Sequence, residues 1–178
     1  MDQFWLRGYE ATSVRDLSNA MSITGASLYN AFGDKRSLFC HCLENYLDTY
    51  ARRCIAQLDA CDDPILGLTV FFDKLLEASL TDRRGCLLVN SAVEVAPWDP
   101  ELARLVQASL REIEDSFHRA LERLLAMRQP DHDLRAAARA MLSAVISLRV
   151  LARAGGDSER LHSIARSAIA VATDLRDT

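Results

Sequence analysis

Three helix starts follow one another so closely between Ser13 and Lys35 that only short helices fit between them. Ser13 with Asp16 three residues on is a capping-box-like start, and Val14, Leu17 and Met21 then keep helical spacing on one face. Ser22-Ile23 is a tight turn, Thr24 caps the next short helix, and Asp34 caps a long helix that begins at Lys35. Two short helices across a tight turn, packed through Val14, Leu17, Ala20, Ile23, Leu28 and Phe32, make a helix-turn-helix. In its second helix, Leu28 and Phe32 lie four apart and share the face that anchors to a core. Thr24, Gly25, Ser27, Tyr29 and Asn30 point elsewhere. A small, hydrogen-bonding front on an anchored back suits insertion into a DNA groove and does not suit burial.

The rest of the chain is predicted to be helical as well. With 7 Gly and 4 Pro among 178 residues, little material is left for turns, and Ala and Leu dominate, so the fold class is all-α with about nine helices. Phe4 and Trp5 end a first helix that closes at Gly8. The helix from Lys35 runs to about Cys61. Asp63-Pro64 and Asp99-Pro100 each pair an N-cap with Pro at the first helical position, opening helices to about Leu80 and about Met127. A short helix over Cys86 to about Val95 lies between them. Asp133 or a residue nearby starts another that stops at Gly155-Gly156, and the last runs from about Ser158 to Leu175. The spacing divides the chain into a helix-turn-helix domain over 1–45 and a larger helical domain over 46–178, with the boundary inside the long helix.

Charge restricts how such a head could hold DNA. The net charge of −4 is not that of a generic nucleic-acid binder. Residues 1–45 set Arg7, Arg15, Lys35 and Arg36 against Asp2, Glu10, Asp16, Asp34 and Glu44, a net of −1. Recognition must therefore rest on geometry at the small front face. Apolar runs such as Leu142 to Leu148 are too short to span a membrane, and no secretory leader pattern is present. Five cysteines at irregular spacing fit a reduced, cytoplasmic compartment. A Gly-rich phosphate loop, a paired-carboxylate site and a nucleophile with a nearby base are all missing, which argues against an enzyme. Cys40 and Cys42, two apart on a helix, face different ways. Cys54 and Cys61 suit packing, and His118 and His132 have no partner at ligand spacing. No metal and no cofactor are expected.

The run Gly8-Tyr9-x-x-Thr12-Ser13-x-x-Asp16-Leu17, then Ile23-Thr24-x-x-Ser27-Leu28-Tyr29-x-x-Phe32-x-x-Lys35-x-x-Leu38-Phe39, resembles the TetR/AcrR family of transcriptional regulators over residues 4–46. The resemblance implies a double-stranded, pseudo-palindromic operator as partner, with Gly25, Ala26 and Ser27 near base edges and Arg15 as the strong donor able to read a guanine. It makes Tyr29, Asn30 and Lys35 phosphate contacts, and sets the Thr12–Ser13 amides at a helix N-terminus that attracts phosphate. The alternative reading of Tyr29 is core packing, and that of Lys35 is a solvated charge at a helix start. Two departures stand out. Ser22 occupies a turn position where the family has Gly, and a non-Gly residue in a left-handed turn costs roughly 1 kcal/mol. Only seven residues precede Gly8, so Met1-Asp-Gln-Phe-Trp reads as the middle of the family's first helix, and Met1 as an internal methionine.

The resemblance also implies an effector-binding and dimerisation domain, hence a homodimer through the last two helices, a repressor released from its operator by a small-molecule or thiol-reactive effector. Leu134, Ala138, Met141, Val145 and Leu148, with Leu161, Ile164, Ala168, Ala172 and Leu175, supply small-residue helical stripes that serve either such a dimer or an internal core. Phe71, Phe72, Leu75, Phe117, Leu121, Met141 and Val145 are the pocket candidates, each alternatively plain core. Trp98 is a lid or a staple. Gly85-Cys86-Leu-Leu-Val-Asn90 resembles a motif of part of the family. Cys86, behind Gly85 and near Arg83 and Arg84, is either a sensor thiol or a space-filling cysteine. The competing function is a dimeric ligand- or partner-binding protein whose shortened head no longer binds DNA.

Overall fold

Local capping sets where the helices begin. The computed structural model describes residues 1–125 and 133–177, and among these it forms nine helices and no strand. Helix α1 is Asp2–Arg7, α2 is Val14–Ala20 and α3 is Gly25–Phe32. Helix α4 covers 35–59, as an α-helical Lys35–Tyr46, a π-helical Leu47–Arg52 and an α-helical Arg53–Asp59. Helices α5 (Pro64–Thr81), α6 (Leu87–Glu94), α7 (Pro100–Leu124), α8 (Leu134–Arg153) and α9 (Ser158–Asp177) follow. The Asp63, Asp99 and Asp133 carboxylates each accept first-turn amides, as their positions predict. The expected α7 end at Met127 and the residue His132 lie outside the described residues.

Helix α5 is the centre of the body, packed by α4, α7, α8 and α9. Its Phe72 ring stacks on Phe117 of α7 at 5.7 Å, and Phe71 meets the same ring edge-on at 5.0 Å. Phe72, Phe117, Leu121 and Met141 are buried in solid core. The helical stripes of α8 and α9 behave likewise. Ala138, Met141 and Leu148, and Ala168 and Ala172, pack inward within the chain, so these faces are core. The outward sides of these helices carry small residues, Ala140, Ser143, Ser147 and Val150 on α8 and Ser163 and Ser167 on α9, among exposed charges such as Arg139 and Arg166.

The head, α1 to the start of α4, is held on this body by polar pins. Arg36 grips Asp99 through two nitrogens, at 2.5 and 3.0 Å, and reaches Glu101 at 2.6 Å. The Glu94 carboxylate at the end of α6 accepts the amides of Tyr9 and Glu10 at 3.0 and 2.9 Å. Gly8 has φ of +91°, and a Cβ there would stand 2.6 Å from that carboxylate, so only glycine fits the turn. The Trp5 indole donates to the Gly85 carbonyl at 3.2 Å, and the Arg84 guanidinium lies 3.9 Å over the same ring. Trp98 is 86% exposed and so acts neither as lid nor as staple.

Candidate nucleic-acid interface and body cavity

The front of α3 is open because its back is fastened. Ser13 and Asp16 form a reciprocal capping box at the start of α2, and the Thr24 hydroxyl accepts the Ser27 amide at 3.1 Å at the start of α3. Leu17 and Leu28 are buried between the two helices, with Val14 and Phe32 partly buried beside them. Ala20 and Ile23, expected in this core, are exposed, so the packing is narrower than the spacing implies. The turn between the helices places Ser22 at φ of +55°, the left-handed conformation expected from its position.

Ala26, Ser27 and Asn30 are exposed on one face, with Gly25 half-buried and Thr24 exposed at its start. Tyr29 is 50% exposed, which removes core packing as its role. Arg15 is exposed and forms no salt bridge among the described residues. Lys35 is half-buried, its Nζ 4.3 Å from the Tyr9 ring centre, so it is a held cation and not a freely solvated one.

Thr12 and Ser13 differ from expectation. Thr12 is buried and its hydroxyl donates to the Gly8 carbonyl at 2.6 Å. Its amide is spent on the Tyr9 carbonyl, and the Ser13 amide on the Asp16 carboxylate. These groups build the loop that carries α2, and a phosphate could have their amides only by displacing those partners.

The body holds a cavity of about 240 Å³ beneath the π-helical turn of α4. Of the expected lining residues it contains Phe71, Leu75 and Val145; Phe72, Phe117, Leu121 and Met141 fill the core behind it. Residue patterning missed Tyr46, Tyr50, Cys54 and Arg149. Tyr46 ends the first α-helical segment of α4 and Tyr50 lies in its π-helical one, and no local pattern marks either as lining.

Cys86 is half-buried at the N-cap of α6 and lines the cavity, where its sulfur accepts the Tyr46 hydroxyl at 3.3 Å. Burial pushes the Tyr46 phenol well above its ordinary range, with Cys86 adding to the shift, so Tyr46 is a neutral donor. Arg84 does not serve Cys86 as expected. Its guanidinium is spent on Asp82 at 2.7 Å and Asp2 at 2.8 Å, while Arg83 is exposed. The cation that closes this end of the cavity is Arg149.

Residues 1–42 match the profile of bacterial regulatory proteins of the tetR family. The chain is 32% identical over 160 residues to the uncharacterized HTH-type transcriptional regulator YezE of Bacillus subtilis (strain 168), covering 87% of this chain and 82% of that one. It is 27% identical over 184 residues to the HTH-type transcriptional repressor ComR of Escherichia coli (strain K12), covering 98% and 86%. Among solved structures it is similar to a cysteine mutant of the transcriptional regulator CifR complexed with 26-bp double-strand operator DNA. That similarity has a TM-score of 0.82 at 29% identity, over 93% of this chain and 89% of that one.

Proposed function

This chain belongs to the TetR family of bacterial regulatory proteins and is a DNA-binding transcriptional regulator, and from that premise we propose that it acts as a dimeric repressor released from its operator by a small molecule held in the body cavity. The observation that carries the reading is the open, nearly uncharged front of α3 on a fully buried Leu28. Gly25, Ala26 and Ser27 let the helix approach base edges closely, and Ala26 can meet a thymine methyl. Arg15 reads a base from α2, while Tyr29, Asn30 and Lys35 hold phosphates and fix the register. Thr12 and Ser13 shape the loop that presents α2.

Two readers are needed, because half-sites about one helical turn apart are met by a two-fold dimer. The outward small-residue faces of α8 and α9 supply the seam, since Ala140, Ser143 and Ser147 let a partner helix come close. The cavity is wired to the head. Tyr46 and Tyr50 on its wall meet the Trp5 ring at 4.9 and 5.4 Å, and Trp5 in turn bonds Gly85 beside Cys86. A ligand that moves those tyrosines shifts α1 and α4, and with them the spacing of the two reading helices, by favouring one of two packings.

Gel shift on the gene's own upstream region tests the reading. Tyr29→Ala and Lys35→Ala should each weaken the complex while leaving the dimer intact by sedimentation. Ser147→Arg should give folded monomers and lower operator affinity at least about a hundredfold, the loss expected when two linked contacts become separate ones. Absence of binding to any DNA in a random-sequence selection would sink the proposal.

A further inference from the structure

The cavity that the proposed function assigns to the effector has one buried guanidinium in its wall. Arg149, on α8, is only 7% exposed, and its Nη1 is buried without a hydrogen-bond partner. Such an orphaned donor on a permanent cation is among the costliest features a core can keep. The Tyr46 hydroxyl, in the same lining, already shares a hydrogen-bonding interaction with this guanidinium, and Cys86 lies in that lining beside it. Asp82 acts on it through space, but the Asp82 oxygens are already engaged by Nε and Nη2 of Arg84 and by its amide. Lys74 also lines the cavity, bonded to Gln57, and none of the lining residues is acidic.

We propose that the effector is a small carboxylate with an apolar body, its carboxylate paired with Arg149 and its body lying against Tyr50, Phe71 and Leu75. A single buried guanidinium matches one negative charge, and its fork matches the two oxygens of a carboxylate. The Tyr46 hydroxyl turns from Cys86 to donate the second contact. The cavity, at about 240 Å³, lies below the roughly 300–1,000 Å³ of drug-sized sites, so the body is of the size of one aromatic ring or a short chain. One turn along α8, Arg153 donates to the Arg84 carbonyl at 2.6 Å and reaches the Trp5 carbonyl at 3.4 Å. Drawing Arg149 toward a ligand therefore pulls on the pin that seats α1.

This inference rests on the effector reading, and one experiment separates the two. The full chain is titrated by calorimetry with benzoate and hexanoate, and with benzamide and benzyl alcohol as neutral matches of similar shape. Operator release is measured in parallel by gel shift. The expected result is binding of a carboxylate at least tenfold tighter than its neutral match, with that preference lost in Arg149→Met and partly kept in Arg149→Lys. The comparison of ligands on the unaltered protein needs no variant to fold. Carboxylate binding without operator release supports the ligand class and removes the effector reading. Equal affinity for the neutral match, an unchanged preference in Arg149→Met, or no binding of either carboxylate overturns the carboxylate assignment.

Discussion

Ser22 is where local backbone chemistry and family habit part. At φ of +55° a side chain crowds the following carbonyl, a penalty of roughly 1–2 kcal/mol for an L-residue. Glycine removes that penalty and loses part of it again to the freedom of the unfolded chain. Ser22→Gly is therefore expected to stabilise the protein by about 0.5–1 kcal/mol, read as a higher urea midpoint at unchanged slope. An unchanged or lower midpoint would mean that the strain is taken up elsewhere in the turn. Ser22 was legible from the sequence because the demand is local: a tight turn between two capped helices. Arg149 was not. Nothing in Leu148-Arg149-Val150 separates a buried guanidinium from a surface one; what buries it is the meeting of α4, α6 and α8, groups far apart in sequence.

At the level of elements, helix starts were readable and helix faces less so. Ser13, Thr24, Asp34, Asp63, Asp99 and Asp133 each cap the helix that the sequence assigned to them, because a cap acts within three residues. Helices α8 and α9 have small residues on both faces, so spacing could not tell which face turns inward. Asp99 does a second task that no local signal reveals, pinning Arg36 of α4. That contact, ahead of the amides of Leu102 and Glu101, lowers its pKa to about 2. A carboxyl depressed in the folded state contributes stability that is complete above its ordinary value of about 3.9 and is lost as pH falls through the lowered one. Asp99→Asn keeps an acceptor for the α7 amides and removes the charge. Its deficit against the unaltered protein should be about 1 kcal/mol or less at pH 6, as for a partly exposed pair, and should close between about pH 4 and pH 2. Denaturation midpoints across that range measure it. A deficit that persists unchanged at pH 2 would place its cause in the cap and not in the pin.

Over the whole molecule, charge decides how the protein meets its operator. A chain of net charge −4 has no broad positive field to steer it to DNA. Among the four cations of residues 1–45, Arg36 is committed to Asp99 and Glu101, and Arg7 stands 3.6 Å from Asp16. Arg15 and Lys35 remain, which in a dimer makes four cationic contacts. Each phosphate neutralised contributes about −0.9 to the slope of log affinity against log salt, so the expected slope is about −4. Affinity should then fall only about a hundredfold between 50 and 200 mM salt, where a strongly basic head would lose far more. Lys35→Ala, removing one contact from each half, should flatten the slope by about 2 and weaken binding evenly across operator variants. Titrations of the operator at several salt concentrations give both numbers. A slope near −8 would show that cations outside residues 1–45 reach the DNA, and specificity would then no longer depend on the close approach of a small, nearly uncharged α3.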